Sequence, residues 1–207
     1  MVKVSGPAMG TEASGTIGKE LVFSSWKGRA YVRRRATPTD PHSPKQLSFR
    51  TMFSYLAKIY PTVELYFADQ WEILAHESNV TRANAFLKYN LERWAQFKPI
   101  SWYYPATEEG TPGDAPTVTP TGGQRHARLL IHYDTPESTE LTYIFRQLDS
   151  EPTPGTDTLV AIFQYIGEDN NFHDSPLAAG QWHYIVRGAT GDGVWCPPSD
   201  DAVATVT

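Results

Sequence analysis

The chain has 207 residues, a net charge of -5, 40% hydrophobic and 13% aromatic residues, and one cysteine. That composition excludes a disordered chain, and the lone Cys196 excludes an intrachain disulfide and a thiolate metal cluster. The longest apolar runs, such as residues 159 to 163, fall far short of the roughly 20 residues of a membrane-spanning helix, and the opening MVKVSGPAMG lacks the apolar stretch of a secretory signal. The expectation is a protein made in the cytoplasm, with no membrane partner.

Charge is unevenly divided. Residues 1 to 105 hold 14 Lys and Arg against 8 Asp and Glu, while residues 106 to 207 hold 4 against 15. Two halves with charges of opposite sign face different surroundings.

In chain order, TIGKELVFSS (16 to 25) and RAYVRRR (29 to 35) flank Trp26-Lys27-Gly28 and predict a hairpin, the glycine supplying the backbone freedom of a tight reversal. Side chains alternate along a strand, so Arg29, Tyr31, Arg33 and Arg35 share one face, and Arg34 takes the other with Val32. With Lys27 they form a cationic row suited to carboxylates or phosphates. Pro38, Pro41 and Pro44 then forbid a continued strand, and Ser43-Pro44-Lys45-Gln46 has the capping-box arrangement of a helix start.

Three helices are predicted. Phe49, Met52, Phe53, Leu56 and Ile59 recur at helical spacing until Pro61, which is expected to end the first. Tyr66, Phe67, Trp71 and Leu74 stripe a second from Thr62 to about His76. Ala83, Phe86, Leu87, Leu91, Trp94 and Phe97 stripe a third from Asn79 or Thr81 to Lys98-Pro99. Such stripes call for packing, and the aromatics are read as core.

Residues 105 to 123, PATEEGTPGDAPTVTPTGG, are crowded with Pro, Gly, Thr and acid and predict a linker centred on 106 to 115. The expected domains are therefore 1 to 105 and 116 to 207. Beyond the linker the period changes to short β-branched and aromatic runs at 125 to 134, 141 to 148, 158 to 167, 181 to 190 and 202 to 207, separated by turn signals. The fold class read from this pattern is an α+β N-terminal domain, a hairpin plus about three helices, followed by an all-β sandwich.

Catalytic signatures are missing from the sequence. It has no GxSxG, no glycine-rich phosphate loop and no HExxH, and its histidines (42, 76, 126, 132, 173 and 183) form no pair at helical i, i+4 spacing. No metal, cofactor or enzyme activity is expected. The acidic residues of the second half lie mostly in turns, where Asp caps backbone, and Cys196 before Pro197-Pro198 reads as a packed side chain. Asn79-Val80-Thr81 fits a glycosylation pattern and carries no weight without a secretory signal. Trp182, Tyr184 and Trp195 are the candidates for stacking on sugar rings, with burial in a core the preferred reading.

Two resemblances add to this. The tail GQWHYIVRGATGDGVWCPPSDDAVATVT resembles the last two strands of a fibronectin type III or related immunoglobulin-like domain, and APTVTPTGG is similar to the start of one. This likeness covers about residues 115 to 207 and lacks the usual tryptophan pattern of the second strand. Residues 15 to 53 and Trp71 resemble an uncharacterised family of tailed-phage and prophage virion proteins, through Gly18, Trp26, Lys27, Gly28, Tyr31, Arg33, Pro38, Asp40, Pro41, Ser43, Gln46 and Arg50. Asp40 stands where Asn is usual.

The second resemblance implies a virion component. The leading expectation is a capsid decoration protein that docks through its N-terminal domain on the major capsid protein or another virion protein and projects an immunoglobulin-like domain with weak glycan or host-surface binding. An oligomer within the particle fits this role. A head-tail or tail accessory protein is the alternative within that class, and a carbohydrate-binding module the alternative outside it. Nucleic acid is disfavoured as a partner, because the chain is acidic overall and carries no known reading element.

Overall fold

The computed structural model describes residues 3–5, 12–17, 20–26, 29–36, 42–134, 139–164 and 169–207. The chain divides into two compact units, Met1–Pro41 and His42–Thr207.

The first unit is an antiparallel sheet of β1 (Lys3–Ser5), β2 (Glu12–Ile17), β3 (Leu21–Trp26) and β4 (Arg29–Arg34), in that spatial order. The predicted hairpin is present, with β3 and β4 in register from Leu21 opposite Arg34 to Trp26 opposite Arg29. Its turn residues Lys27 and Gly28 lie outside the described residues. The single strand predicted over 16 to 25 is instead broken, because Ile17 pairs back on Leu21 and adds a second reversal. None of the described side chains in this sheet is buried, and Leu21, Tyr31 and Val32 are 42%, 41% and 55% exposed.

The second unit begins with α1 (Pro44–Ser78), capped as predicted: Ser43 Oγ accepts from the Gln46 N–H at 3.4 Å and Pro44 takes the first turn. Pro61 does not end it. The helix continues through the proline and departs from helical angles only at Phe67 (φ -131, ψ 21), so two predicted helices are one kinked helix. Proline removes one N–H and crowds the preceding turn, a cost offset here because Met52, Leu56, Ile59, Val63, Trp71 and Ala75 bury one stripe on both sides of it. Asn79 closes α1 in the left-handed conformation (φ 51), and its N–H bonds the Ala75 and His76 carbonyls. That cap gives the would-be sequon asparagine a structural reason of its own. Thr81 caps α2 (Arg82–Ala95), its Oγ1 accepting from Asn84 N–H at 3.3 Å.

The rest is a two-sheet sandwich. β5 (Thr117–Gly123), β6 (His126–His132) and β9 (Asp169–Asp174) form one sheet in that order. The other runs β11 (Trp195–Pro198), β10 (Gly180–Ala189), β7 (Leu141–Leu148), β8 (Leu159–Gln164). β12 (Ala202–Val206) pairs with the first half of β10, and β11 with its second half, so the two act as one edge interrupted at Ser199-Asp200-Asp201. At the closing corner Thr207 N–H bonds the Gly123 carbonyl, and a Cβ at Gly122 would collide with the Thr205 backbone, which requires glycine there.

Two cores share the second sheet. Between the sheets lie Leu129, Ile131, Tyr133, Ile144, Tyr184 and Val186. On the sheet's outer face Leu141, Tyr143, Phe145 and Leu159 pack with Met52, Leu56, Trp71, Phe86 and Trp94 of the helices. The domain division expected within 106 to 115 is therefore misplaced. The helices and the sandwich are layers of one unit, and the boundary falls at Pro41/His42. The proline- and glycine-rich segment has the irregular backbone predicted of it but is tied down: Ala106 N–H bonds Tyr89 Oη at 3.0 Å, Glu108 bonds Arg93 at 2.8 Å, and Gly113 is buried. No helix among the described residues is long and apolar enough to cross a membrane.

Candidate functional site

β4 is an edge strand, so one side of its backbone has no ladder partner among the described residues. Tyr31, Val32, Arg33, Arg34 and Arg35 are all exposed on it. The alternation read from the sequence holds: Arg33 stands opposite Val22 and Arg34 opposite Leu21, which puts the two on opposite faces. Backbone pairing extends one residue further, where Arg35 N–H bonds the Glu20 carbonyl at 2.5 Å. Lys27 lies outside the described residues, and of Arg29 only the backbone is described. The N-terminal unit alone holds 7 Lys and Arg against 3 Asp and Glu, leaving 11 against 20 for residues 42 to 207. The charge division thus survives the corrected boundary, with the basic part confined to residues 1 to 41.

The three aromatic candidates for sugar stacking do not come together. Tyr184 is fully buried between the sheets, and its hydroxyl donates to Asp174 Oδ2 at 3.0 Å. Burial first, and then the Asp174 charge, push that phenol's pKa up. Trp182 packs against the same core, donates its indole N–H to the Ala178 carbonyl at 2.8 Å, and carries the Arg146 guanidinium 4.8 Å above its ring. Trp195 belongs to the other core, where it meets Tyr143 edge-on at 4.7 Å and donates to the Phe97 carbonyl at 3.1 Å. Trp182 and Tyr184 are two apart on β10 and so share one face, whereas Trp195 on β11 takes the other. The set is a correction: two side chains serve the inter-sheet core and one the helix-facing core.

Buried polar clusters are structural. Arg146 Nη1 donates to both oxygens of Asp174, at 2.7 and 2.6 Å, so the carboxylate that accepts from Tyr184 is itself paired. Arg93 on α2 is 7% exposed and donates to the carbonyls of Pro99 (2.9 Å) and Gly193 (3.1 Å) and to Glu108 (2.8 Å). Neither cluster was anticipated from sequence, although Asn90 and Arg93 sit on the buried stripe of α2 beside Phe86 and Trp94, where a polar residue needs a partner.

Hydrogen bonds from Arg93 and then Lys98 hold the Glu108 carboxyl below the usual glutamate range. A carboxyl whose folded pKa is depressed contributes stability above its unfolded pKa and loses it as pH falls through the folded value. Glu108 is 43% exposed, so solvent screens the pair and its worth is under about 1 kcal/mol. Denaturant midpoints of the wild type and Glu108→Gln should therefore differ at neutral pH and converge below the ordinary glutamate range; a gap that persists in acid would assign the effect to packing.

The histidines remain local. His132 bonds Asp169 (2.9 Å) and Asp134 (3.2 Å), His183 bonds Asp201 (2.7 Å), and His126 stacks on His173 at 5.1 Å. No group of three metal-ligating side chains assembles among the described residues. Cys196 is buried 3.7 Å from Thr139 Oγ1, and burial raises its thiol pKa, the reverse of what an activated nucleophile needs.

A three-stranded sheet of order β5-β6-β9 facing a sheet in which β11 and β12 flank β10, then β7 and β8, is the strand arrangement of the fibronectin type III branch of immunoglobulin-like sandwiches. The C-terminal part of the chain is such a sandwich, with a helix pair added to its outer face. In fold the chain is similar to an Fn3-like protein from Clostridium thermocellum, with 18% identity, 47% of this chain and 96% of that one covered, and a TM-score of 0.36. The chicken CNTN1 FN1-FN3 domains match at 17% identity over 48% of this chain and 36% of theirs, with a TM-score of 0.36. A beta-1,2-glucanase from Parabacteroides distasonis matches at 17% identity and a TM-score of 0.37, and the chain covers 13% of that enzyme's length. No protein-family description and no curated protein matches the sequence.

Proposed function

We infer that the chain is a structural docking protein of a virion, in the simplest case a capsid decoration protein attached through its N-terminal sheet. The observation that carries this reading is the edge strand β4, which, with Arg35 just past its end, presents Arg33, Arg34 and Arg35 in water beside a backbone edge that has no strand partner among the described residues. Guanidinium forks bind carboxylates in pairs, and an unpaired strand edge accepts a partner's strand, so one element offers both charge and backbone recognition. The virion setting comes from the resemblance of residues 15 to 53, and the partner it implies is the major capsid protein. Docking is assigned to residues 1 to 41, since the helices belong with the sandwich. A shell repeats its contacts many times, so a modest single-site affinity suffices for occupancy of an array.

The test is co-sedimentation of the purified chain with particles that lack it. An Arg33→Glu, Arg35→Glu variant should lose binding, by tenfold or more on the scale of about 1.4 kcal/mol per decade, while its far-ultraviolet spectrum is unchanged because both side chains are exposed. Undiminished particle binding by this variant would remove the assignment. Binding to DNA that falls steeply with salt would move the strand to nucleic acid instead. Electron microscopy of the particle then separates decoration, with copies over the whole shell, from a tail accessory role, with copies at one vertex.

A further inference from the structure

A groove of about 710 Å³ runs between α1 and β8. Its helix wall includes Arg50, Ser54, Tyr55 and Lys58, and its other wall is residues 160 to 164, every residue of β8 from Val160 on. Alternate side chains of a strand point to opposite faces. A cavity touched by five consecutive residues therefore follows the strand's backbone edge and is not confined to one face of the sheet. β8 is the outermost strand of its sheet, with β7 on one side and no strand pairing the other among the described residues. The groove continues into a smaller apolar cavity of about 170 Å³ that shares Ile59, Thr62 and Gln164 and reaches Phe67 and Trp102.

Two further observations mark this as a place for a ligand. Tyr55 Oη and Trp102 Nε1, one in each lining, are buried and have no hydrogen-bond partner among the described residues. Buried donors left unmatched cost about 1–3 kcal/mol each, so they are rare in finished interiors. The charged residues in the linings are Arg50 and Lys58, both cationic.

We propose that the α1–β8 groove takes an extended, acidic segment of a partner protein as an added strand on β8, with carboxylates set against the Lys58 wall. Main-chain bonding to β8 supplies affinity, and the cationic helix wall selects the sign of the guest's charge. Charge argues against two other occupants. Two β8 edges paired across a two-fold axis would bring like-charged walls together, and the chain's own N-terminal strands carry an excess of cations. The groove lies within residues 42 to 207 and does not rest on the arginine strand's role.

The experiment is fluorescence polarisation of the full chain with a short labelled peptide alternating valine with glutamate. Three comparisons accompany it: the same peptide with lysine for glutamate, the acidic peptide N-methylated at alternate residues, and the Lys58→Glu chain. Lys58 is exposed on α1, so its replacement leaves the fold intact, which circular dichroism verifies. The acidic peptide should bind, the lysine and N-methylated peptides should not, and Lys58→Glu should weaken binding by about tenfold. No binding of the acidic peptide, equal binding of both signs, or indifference to N-methylation would overturn the proposal. So would light scattering that finds a dimer whose dissociation exposes the groove, because a second copy would then be the occupant. Wild-type particle binding with no peptide binding would discard this groove and spare the docking strand.

Discussion

Trp94→Ala is expected to lower stability by about 3–5 kcal/mol, the usual cost of removing a large aromatic from a packed core, and to do so for the helices and the sandwich at once. Trp94 is fully buried on α2, lies parallel to the Tyr143 ring of β7 at 6.0 Å, and sits 5.8 Å from Phe97. Tyr143 in turn accepts a hydrogen bond from Ile100 N–H at 3.0 Å, so one aromatic pair ties α2, the segment after it and the central strand of the sandwich. Unfolding followed in parallel by helical circular dichroism and by amide exchange in β7 and β10 should give one transition that moves as a whole. If the helical signal is lost first while the strand amides keep their protection, the helices and the sandwich are separate domains after all, as a flexible 106 to 115 would have made them. Deleting residues 106 to 207 asks the same question from the other side, and the helices left behind should not hold their fold.

The second large effect is expected at Arg93. Alanine there leaves the Pro99 and Gly193 carbonyls without their donors inside a packed region, and at about 1–3 kcal/mol for each orphaned group the loss should be near 3 kcal/mol. Lysine should not rescue it, because an ammonium is a point donor and the Arg93 fork reaches Pro99, Gly193 and Glu108 from one plane. Gly193 adds to the constraint: its φ is +90, and a Cβ on it would run into the Arg93 guanidinium. Urea midpoints of Arg93→Ala, Arg93→Lys and Glu108→Gln measure this. The first two should fall together and well below the third, since the Glu108 pair is half in water. An Arg93→Lys protein as stable as wild type would show that only the charge matters.

Much of the local structure was legible in the sequence, because each signal was local. The β3–β4 hairpin follows from two β-rich runs closed by Lys27-Gly28, and the start of α1 follows from Ser43 and Pro44. Five of the sandwich strands stand where β-branched and aromatic runs sit between turn residues. The misreadings share a cause: they needed to know what lies on the other side of an element. Pro61 reads as a stop until the stripe on both sides of it is seen to bury against one sheet. The 106 to 115 segment reads as a linker until Glu108 is seen on Arg93. β7 has residues 141 to 145 buried on both faces, so its pattern LTYIF carries no alternation to announce that one face meets helices. β9, with the sequence DNNFHD, lacks the β-rich composition that marks a strand.

For the candidate site the balance was similar. The exposed arginines of β4 could be read directly, since consecutive arginines on a strand put charge on both faces and unpaired charge is seldom buried. The stacking aromatics could not, because burial of Tyr184 and the separation of Trp182 from Trp195 depend on register and layer order. The α1–β8 groove was invisible for the same reason: its two walls come from segments about a hundred residues apart.

Immunoglobulin-like sandwiches are commonly treated as interchangeable beads, cut out and restrung at will because both outer faces are wet. Here one outer face is not. A gene trimmed to residues 116 to 207 would encode a bead with Leu141, Tyr143, Phe145 and Leu159 facing water on one side, a contiguous oily patch of the kind that drives aggregation. Anyone recombining this protein, whether a protein engineer or natural exchange between genomes, inherits a rule about where to cut: the junction that keeps this face covered lies before residue 42, and the helices travel with the sandwich.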